Sequence, residues 1–345
     1  MNNLNSMTHI ALEISNPCNE RCIHCYRVCK DTKLGFLSVK LAQSVFEQAK
    51  ILGATETTIT GGEPLLNPEW KEIVRNANDL EFRISFFTNG SLFKASDAEF
   101  LASVKNLKEV QISLYALDES VHDTITGLSG SCKRTKNAIQ MLREHNVPIF
   151  ISCPAMKENM TAILDVMRWC DDEEIPSCAD IFIFGDSSYK EKNLEHRLSW
   201  NDLQIFYYET MKDKGRLSYV WGDSYGERNL SEIKFYGGAA HSLCVSGDGT
   251  IYPAIGWYEP LGNIKNETLK NVFDNHLLLK KLRTICASDI KECRECDAVN
   301  FCDFCLTPHI TANHGELGKV DTEYCKFIGF RKQMAEKRDR RLKKF

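Results

Sequence analysis

Three cysteines follow one another at close intervals near the start of the chain. Cys18, Cys22 and Cys25 form a C-x3-C-x2-C pattern directly after an apolar run, residues 10–14, that predicts a β-strand. Three thiolates at this spacing can bind a soft metal, whereas a structural zinc site or a complete iron–sulfur cluster normally takes four ligands. The pattern therefore indicates a metal site with one position open for a substrate or cofactor.

A second group of cysteines lies near the C-terminus. It reads C-x2-C-x5-C-x2-C followed by one more cysteine, and its members are Cys293, Cys296, Cys302, Cys305 and Cys325. Paired C-x2-C units also describe a zinc ribbon, so the spacing alone leaves zinc and iron–sulfur chemistry open.

The composition restricts the location and partners of the chain. Its 345 residues include 15 cysteines, with 43% hydrophobic residues, 26% charged residues and a net charge of −4. There is no signal peptide and no apolar run of about 18 residues, so we expect a cytoplasmic protein without a membrane partner. Cysteines in a reducing compartment indicate metal or redox chemistry. The net charge argues against general nucleic-acid binding.

Strand-like and helix-like segments alternate from the N-terminus to about residue 215, which indicates repeated β-α units and a parallel sheet. The predicted strands are residues 8–14, 56–60, 82–88, 107–114, 148–154 and 179–184. Predicted helices follow an N-cap at Ser38, begin at Asn67 with Pro68 in the first position, and span residues 95–104, 131–145, 160–171 and 200–212. Six such units predict an α/β fold, a partial (β/α)6 TIM-like barrel.

The chemically suggestive residues fall at the carboxyl ends of these strands. The cysteine triad follows the first strand, Gly61-Gly62-Glu63-Pro64 the second and Thr88-Asn89-Gly90 the third, while Ser113 lies at the end of the fourth. In barrels of this kind the active site forms at the carboxyl ends of the strands.

The pattern changes beyond residue 215, where glycines and turns become frequent and the cysteines dense. We therefore expect a barrel over residues 1–220, a small cysteine-rich module over residues 221–330 and a basic helical tail over residues 331–345. The scattered residues Cys132, Cys153, Cys170 and Cys178 are expected to be small buried apolar side chains.

With these motifs in this order, the chain resembles the radical S-adenosylmethionine (radical SAM) enzymes over nearly its whole length. The resemblance implies that Cys18, Cys22 and Cys25 hold a [4Fe–4S] cluster whose fourth iron is chelated by the amino and carboxylate groups of S-adenosylmethionine. One electron from the cluster would cleave the sulfonium to a 5′-deoxyadenosyl radical, which abstracts a hydrogen atom from the substrate.

The resemblance also implies contacts with S-adenosylmethionine. In the family the Gly61–Pro64 motif grips the methionine amino group, His24 stands where an aromatic residue lies near the adenine, and Arg134 could pair with the carboxylate. Ribose and carboxylate contacts are expected of Thr88, Asn89 and Ser113. The residue types alone also fit simpler roles: a solvated histidine, a tight turn, strand-end polar groups and a helix-surface cation.

The C-terminal cysteines resemble the SPASM extension, which carries auxiliary iron–sulfur clusters. By this resemblance Cys293, Cys296, Cys302 and Cys325 ligate one complete auxiliary [4Fe–4S] cluster. The chain departs from the family at Ala254, where a cysteine is usual, and at Tyr236, near which another is expected. A second auxiliary cluster would depend on residues at unfamiliar spacings, namely Cys305, Cys244 and Cys286. We therefore expect two clusters in total.

The expected function is modification of a ribosomally synthesised precursor peptide, by crosslinking or epimerisation. Several segments resemble peptide maturases, among them residues 119–127 with His122-Asp123. Expected partners are the peptide and a low-potential electron donor of ferredoxin or flavodoxin type. The leader of the peptide is expected to bind either to the barrel's own surface or to a separate leader-binding protein. Alternatives are a folded protein substrate, as for sulfatase maturation, a tetrapyrrole or cofactor precursor, and a non-catalytic zinc-binding module.

Overall fold

The computed structural model describes residues 6–27, 35–186, 191–212, 224, 226–233, 240–303 and 305–342. Within these ranges the chain forms an α/β structure around a largely parallel sheet, which confirms the predicted fold class. No helix among the described residues has both the length and the apolar character that crossing a bilayer requires.

Strands and helices alternate up to residue 212. The strands are β1 His9–Ser15, β2 Glu56–Gly61, β3 Arg83–Thr88, β4 Leu107–Ser113, β5 Ile149–Ser152 and β6 Ser177–Cys178. The helices are α1 Val39–Ile51, α2 Trp70–Asp79, α3 Ala95–Ala102, α4 Glu119–Thr126, α5 Ser131–Glu144, α6 Ala162–Asp172 and α7 Trp200–Lys212. Ser38 caps α1 as predicted, because its side chain accepts a hydrogen bond from the backbone N–H of Leu41.

The C-terminal region adds strands and helices to this core. Its strands are β7 Ser242–Ser246, β8 Thr250–Tyr252 and β9 Gly262–Asn263. Its helices are α8 Leu269–Asn275, α9 Leu277–Thr284, α10 Lys291–Arg294, α11 Leu306–Ala312 and α12 Thr322–Leu342. The start of α12 is anchored to the segment before α7, because Arg197 Nη2 lies 3.0 Å from Asp321 Oδ2.

The described strands form one sheet in the order β6-β5-β4-β3-β2-β1-β7-β8-β9. β1 to β6 are parallel, and β7 pairs in parallel with the free side of β1. The expected boundary at residues 220–221 lies outside the described residues, and the sheet continues on both sides of it. The division into three domains remains a prediction.

The register separates an apolar face from a polar face of the sheet. On β1, Ile10, Leu12 and Ile14 are fully buried and join a core that includes side chains of α1 and α2. The alternate residue Glu13 lies opposite Thr60 on β2 and Ser246 on β7. Since successive side chains of a strand point to opposite faces, the second face collects hydroxyl and carboxyl groups from neighbouring strands.

The helix expected to begin at Asn67 begins instead at Trp70. Residues 64–66 form a 3-10 turn, and Asn67 is fully buried behind it. Its Nδ2 donates to the backbone carbonyls of Ile14 (2.8 Å) and Leu37 (2.9 Å), while its Oδ1 accepts from the N–H of Glu69. The amide therefore connects three chain segments, which a local capping pattern does not reveal.

Two further expectations differ from the structure. The strand expected over residues 179–184 is limited to Ser177–Cys178, two residues earlier. Residues 119–127, which were not assigned to any predicted helix, form α4 with Asp118 as N-cap and Gly127 as left-handed C-cap. Of the scattered cysteines, Cys132, Cys153 and Cys170 are fully buried as expected, whereas Cys178 is half-buried.

Replacement of Asn67 by alanine should lower the free energy of unfolding by roughly 2–4 kcal/mol, since the carbonyls of Ile14 and Leu37 each lose a buried hydrogen bond. The carbonyl of Ile14 keeps its hydrogen bond from the N–H of Leu37. Denaturant unfolding followed by circular dichroism measures the change. Asn275→Ala, which removes an exposed amide bonded only to Asn271, is the matched control and should cost less than about 0.5 kcal/mol. An equal effect of both substitutions would contradict the structural role given to Asn67.

Candidate active site

The cysteine loop leaves β1 at Ser15 and lies directly against the turn that follows β2. The N–H of Gly62 donates to the carbonyl of Ser15 at 2.6 Å, and the N–H of Glu63 donates to the carbonyl of Pro17 at 3.0 Å. A Cβ atom on Gly61 would stand 2.3 Å from the Ser15 oxygen, and one on Gly62 would stand 2.4 Å from the Pro17 oxygen. Both glycines are therefore required for contact with the loop itself.

α4 supports the other side of the cysteine loop. The N–H of Arg21 donates to the carbonyl of Thr126 at 2.8 Å, and the N–H of Ile23 donates to the carbonyl of Ile125 at 3.0 Å. The loop is thus held between the β2 turn and the end of α4. Residues 119–127, the segment that resembles one in peptide maturases, therefore support the cysteine loop through these two backbone hydrogen bonds.

The three thiols of the triad are half-buried on this one loop. Burial raises the pKa of the Cys22 thiol, and the charges of Glu20 and Cys18 raise it further. The backbone N–H of Glu20 approaches Cys18 Sγ at 3.5 Å, and Asn89 Nδ2 approaches it at 3.9 Å. Such N–H groups stabilise a thiolate and are among the factors that set iron–sulfur potentials.

The donor set fits an iron–sulfur cluster better than a single metal ion. In the part of the chain that the structure describes, no three His, Cys, Asp or Glu side chains converge on one ion. Cysteines that hold a four-iron cluster bind different irons and need not meet at one point. The three thiols of the loop are therefore compatible with a cluster that has one iron free of protein ligands.

Glu63 is the centre of a hydrogen-bond network behind the loop. Its fully buried carboxylate accepts from the hydroxyl of Thr88 (2.7 Å), the N–H of Asn89 (2.9 Å) and the N–H of Leu65 (3.1 Å). Burial raises its pKa to about 7, although these three hydrogen bonds act in the opposite direction. A carboxylate offers about four acceptor positions, so one remains for a ligand. Pro64, the last residue of the motif, is buried at the start of the 3-10 turn.

Asn89 and Thr88 make contacts within the protein. The Thr88 hydroxyl donates to Glu63, and Asn89 Oδ1 accepts from the hydroxyl of Ser91 at 2.7 Å. Asn89 Nδ2 donates to Asn19 Oδ1 at 3.0 Å, which fixes the cysteine loop to the end of β3. Contacts of these two residues with S-adenosylmethionine remain predictions.

His24 and Ser113 meet at Tyr115, a buried residue just beyond β4. The His24 ring lies edge-on to the Tyr115 ring at 4.9 Å. Burial lowers the pKa of His24 to about 4, with a further contribution from His196. Ser113 is hydrogen-bonded to the Tyr115 hydroxyl, which also approaches Cys22. The neutral imidazole is suited to stacking against another ring.

Arg134 lies in the first turn of α5 and is exposed. Its Nη2 donates to the carbonyl of Ser129 at 3.0 Å, which leaves other N–H groups of the guanidinium available. Its charge reaches Glu20, a carboxylate within the cysteine loop. The pKa of Glu20 is raised to about 7, chiefly by burial and also by Glu63, while Arg134 lowers it. The sequence interpretation did not single out Glu20.

The polar face of the sheet holds a buried ion pair that was also missed. Arg27 pairs with the fully buried carboxylate of Glu13, and the hydroxyl of Tyr258 donates to Glu13 Oε1 at 2.7 Å. Arg27 also donates to Asn16 Oδ1 at 3.3 Å. The sequence did offer a signal for this pair, namely a glutamate inside an apolar strand. A charged residue buried in such a strand is normally paired with an opposite charge. Through Tyr258 the C-terminal region reaches the end of the cysteine loop.

The structure brings together the cysteines expected to bind an auxiliary cluster. Burial, followed by the thiols of Cys325, Cys302 and Cys296, raises the pKa of Cys293 to about 12. Burial and then Cys296 raise the pKa of Cys325 to about 11. All four residues are half-buried, and Cys325 lies in the first turn of α12.

Cys305 and Cys244 lie in different surroundings. Cys244 is fully buried on β7, and this burial raises the pKa of its thiol. The charge of Glu13 raises that pKa further, whereas the charge of Arg27 lowers it. Cys305 precedes α11, and its pKa, raised by burial, responds to Thr307 and Asp303.

Neither departure from the SPASM pattern supplies a missing ligand among the described residues. Ala254 forms a tight turn with Trp257, and Cys286 pairs through its thiol with Asp289 at 3.2 Å. Tyr236 lies outside the described residues.

The first of the comparisons with known proteins concerns the family. Residues 12–170 match the family model of the Radical SAM superfamily, a range that contains the end of β1, the cysteine triad and β2 to β5. This range, which is less than half of the chain, is therefore a radical SAM domain, and the superfamily uses S-adenosylmethionine and a [4Fe–4S] cluster.

Among curated proteins, the chain is 23% identical over 314 residues to the antilisterial bacteriocin subtilosin biosynthesis protein AlbA of Bacillus subtilis, covering 88% of this chain and 68% of AlbA. It is 30% identical over 159 residues to the sporulation killing factor maturation protein SkfB of the same organism, covering 46% of this chain and 38% of SkfB. An AdoMet-dependent heme synthase of Methanosarcina barkeri is 23% identical over 319 residues, covering 86% of this chain and 90% of the synthase.

Solved structures share the fold. Streptococcus suis SuiB bound to the precursor peptide SuiA has a TM-score of 0.69 at 18% identity, covering 91% of this chain and 74% of SuiB. Native anSMEcpe with bound AdoMet has a TM-score of 0.74 at 19% identity, covering 96% and 97% of the two chains. At these identities the likeness concerns the fold alone.

Replacement of Arg27 by methionine should lower the free energy of unfolding by about 3–5 kcal/mol, because it leaves the buried Glu13 carboxylate without its counter-charge. The double variant Glu13→Gln/Arg27→Met should recover part of that loss, which a denaturant double-mutant cycle measures. Lys270→Met removes an exposed ion pair with Asp274 and should cost less than about 1 kcal/mol. Additive effects at Glu13 and Arg27 would argue against their coupling.

Proposed function

We propose that this radical SAM enzyme modifies a ribosomally synthesised precursor peptide, by crosslinking side chains or by epimerising a residue. The observation that carries the proposal is the extent of the similarity to AlbA, which covers 88% of this chain. The similarity therefore extends beyond the radical SAM match at residues 12–170. The printed descriptions of AlbA, SkfB and SuiB concern a bacteriocin, a killing factor and a precursor peptide.

In this proposal Cys18, Cys22 and Cys25 hold the [4Fe–4S] cluster that, with S-adenosylmethionine bound, supplies the 5′-deoxyadenosyl radical. The chain's own residues bind and orient the cofactor and the substrate and enclose them. The remaining acceptor position of Glu63 receives the methionine ammonium, and Arg134 receives its carboxylate. His24 stacks near the adenine. Ser113, which is hydrogen-bonded to Tyr115 beside the His24 ring, contacts the same part of the cofactor. Thr88 and Asn89 act mainly by holding Glu63 and the loop.

Cys293, Cys296, Cys302 and Cys325 hold an auxiliary [4Fe–4S] cluster in this proposal. Four thiolates leave no iron free of protein ligands, so the cluster transfers electrons or supports the fold. Cys305 and Cys244 are too differently placed to suggest a third cluster. The proposed division is a barrel over residues 1–220, a SPASM-type module over residues 221–330 and a helical tail over residues 331–345.

Further partners follow from the chemistry. The cluster needs a low-potential electron donor of ferredoxin or flavodoxin type, and a separate leader-binding protein would present the peptide. We place the enzyme in the cytoplasm, because 15 cysteines in one chain indicate metal or redox chemistry in a reducing compartment.

A tetrapyrrole substrate is the second candidate, because the heme synthase of Methanosarcina barkeri aligns over 86% of this chain. A folded protein, as in sulfatase maturation, is a third possible substrate. The zinc-binding alternative has no support beyond the cysteine spacing, since the superfamily match concerns an iron–sulfur enzyme class.

The reduced enzyme, supplied with S-adenosylmethionine and a short peptide encoded beside its gene, should form 5′-deoxyadenosine and change the mass of the peptide. A crosslink removes a pair of hydrogens, whereas epimerisation in heavy water introduces deuterium. The triple variant Cys18→Ala/Cys22→Ala/Cys25→Ala should abolish both products, as mass spectrometry would show. Modification of a tetrapyrrole but not of any such peptide would favour the second candidate.

Iron analysis tests the number of clusters. The anaerobically purified enzyme should contain about eight irons per chain, and Cys302→Ala should lower this to about four. Cys305→Ala and Cys244→Ala should leave the iron content unchanged. About twelve irons, with a loss of about four in either of the latter variants, would point to a third cluster.

A further inference from the structure

A buried carboxylate lies inside the cysteine loop at Glu20. The residue is 3% exposed, and charged side chains this deeply buried are uncommon unless they have a partner. Its backbone is well fixed, since its N–H points to Cys18 Sγ and its carbonyl accepts from the Arg21 guanidinium at 2.8 Å. The direction of the carboxylate is therefore set by the loop.

The described residues supply few hydrogen-bond donors to this carboxylate. Oε2 accepts a weak hydrogen bond from the Cys22 thiol at 3.5 Å, and Oε1 has no partner among the described residues. The Ser91 side chain is within hydrogen-bonding reach of the carboxylate, but its hydroxyl proton is donated to Asn89 Oδ1 at 2.7 Å. Ser91 Oγ also accepts from Asn19 Nδ2 at 2.8 Å, so a hydrogen bond to Glu20 competes with the one to Asn89.

The hydrogen bond from the Cys22 thiol to Glu20 is lost when Cys22 binds iron. In the proposed function Cys22 is a cluster ligand, and a cysteine bound to iron is a thiolate with no proton to give. Among the described residues, Glu20 would then be a buried acceptor whose remaining donor is the Ser91 hydroxyl that Asn89 also uses. Such a state is unfavourable unless a ligand supplies a donor. The sequence of the loop thus leaves a place for a positively charged donor.

The neighbouring charges define what kind of donor fits. Glu63 and Arg134 both lie within electrostatic range of Glu20. Glu63 already accepts three hydrogen bonds, whereas Glu20 Oε1 accepts none. Two carboxylates beside one guanidinium are complementary to the ammonium and carboxylate of an α-amino acid. S-adenosylmethionine, the cofactor of this enzyme class, carries such an end.

We propose that Glu20 Oε1 binds the α-ammonium group of S-adenosylmethionine, as a second carboxylate beside Glu63. The inference rests on the proposed cluster site but not on the identity of the substrate. Glu20 is a binding residue in this role, and it takes part in no bond cleavage. The residue determines how strongly the enzyme prefers a ligand that carries the amino group.

Ligand binding tests the proposal without turnover. The probes are S-adenosylhomocysteine and its analogue that lacks the amino group, titrated anaerobically by calorimetry into the cluster-loaded enzyme. Glu20→Gln should bind S-adenosylhomocysteine roughly ten- to a hundred-fold more weakly, as expected for a lost charge-assisted hydrogen bond. Its affinity for the deaminated analogue should stay within about three-fold of the wild type.

The control is Glu99→Gln, which removes an exposed carboxylate on α3 and should leave both affinities unchanged. Iron content confirms that each variant holds its clusters. If Glu20→Gln loses iron, Glu20→Met carries the same comparison, because it keeps the length of the side chain without a buried polar group.

An unchanged affinity for S-adenosylhomocysteine, an equal loss for both ligands, or loss of iron in both Glu20 variants would overturn the proposal for Glu20. Those results would leave the proposed function intact as long as the wild-type enzyme binds the ligand and cleaves S-adenosylmethionine. A wild-type enzyme that binds neither probe would overturn the cluster assignment, and the role of Glu20 with it.

Discussion

The backbone of the cysteine loop and the backbone of the Gly61-Gly62 turn lie so close together that no side chain fits between them. Hydrogen bonds from Gly62 to Ser15 and from Glu63 to Pro17 hold this contact. The position of the thiols relative to Glu63 is therefore determined by main-chain atoms, which have fewer alternative conformations than side chains. The remaining parts of the site, including Asn89 and α4, brace a loop whose place is already set.

The sheet divides packing from chemistry by the pleat of its strands. One face is apolar and packs against helices, while the other carries hydroxyl, carboxyl and amide groups. These polar groups are satisfied in pairs, as with His9 and Thr58 at 2.9 Å or Ser85 and Glu109 at 3.0 Å. A polar face inside a folded protein is costly unless its groups are paired or reserved for a ligand. The Glu13–Arg27 pair is the most demanding case, because both side chains carry charge.

Local signals in the sequence were sufficient for much of the fold. The apolar run of β1 and the cap at Ser38 involve residues near one another in the chain, and the structure bears out the strand and the helix start that they predict. Asn67 was misread because two of its partners, Ile14 and Leu37, are distant in sequence. β7 lies beside β1 because of a pairing between opposite ends of the chain, which periodicity does not encode. Glu20 was overlooked because its meaning depends on its burial, which no local pattern displays.

The pairing of β7 with β1 also affects the order in which the protein is made. Thr8 and His241, which bond beside these strands, are 233 positions apart. During synthesis, one edge of β1 stays open until β7, Ser242–Ser246 in a chain of 345 residues, has left the ribosome. An open edge can pair with other chains, so this interval is the period in which a nascent chain is most exposed to aggregation.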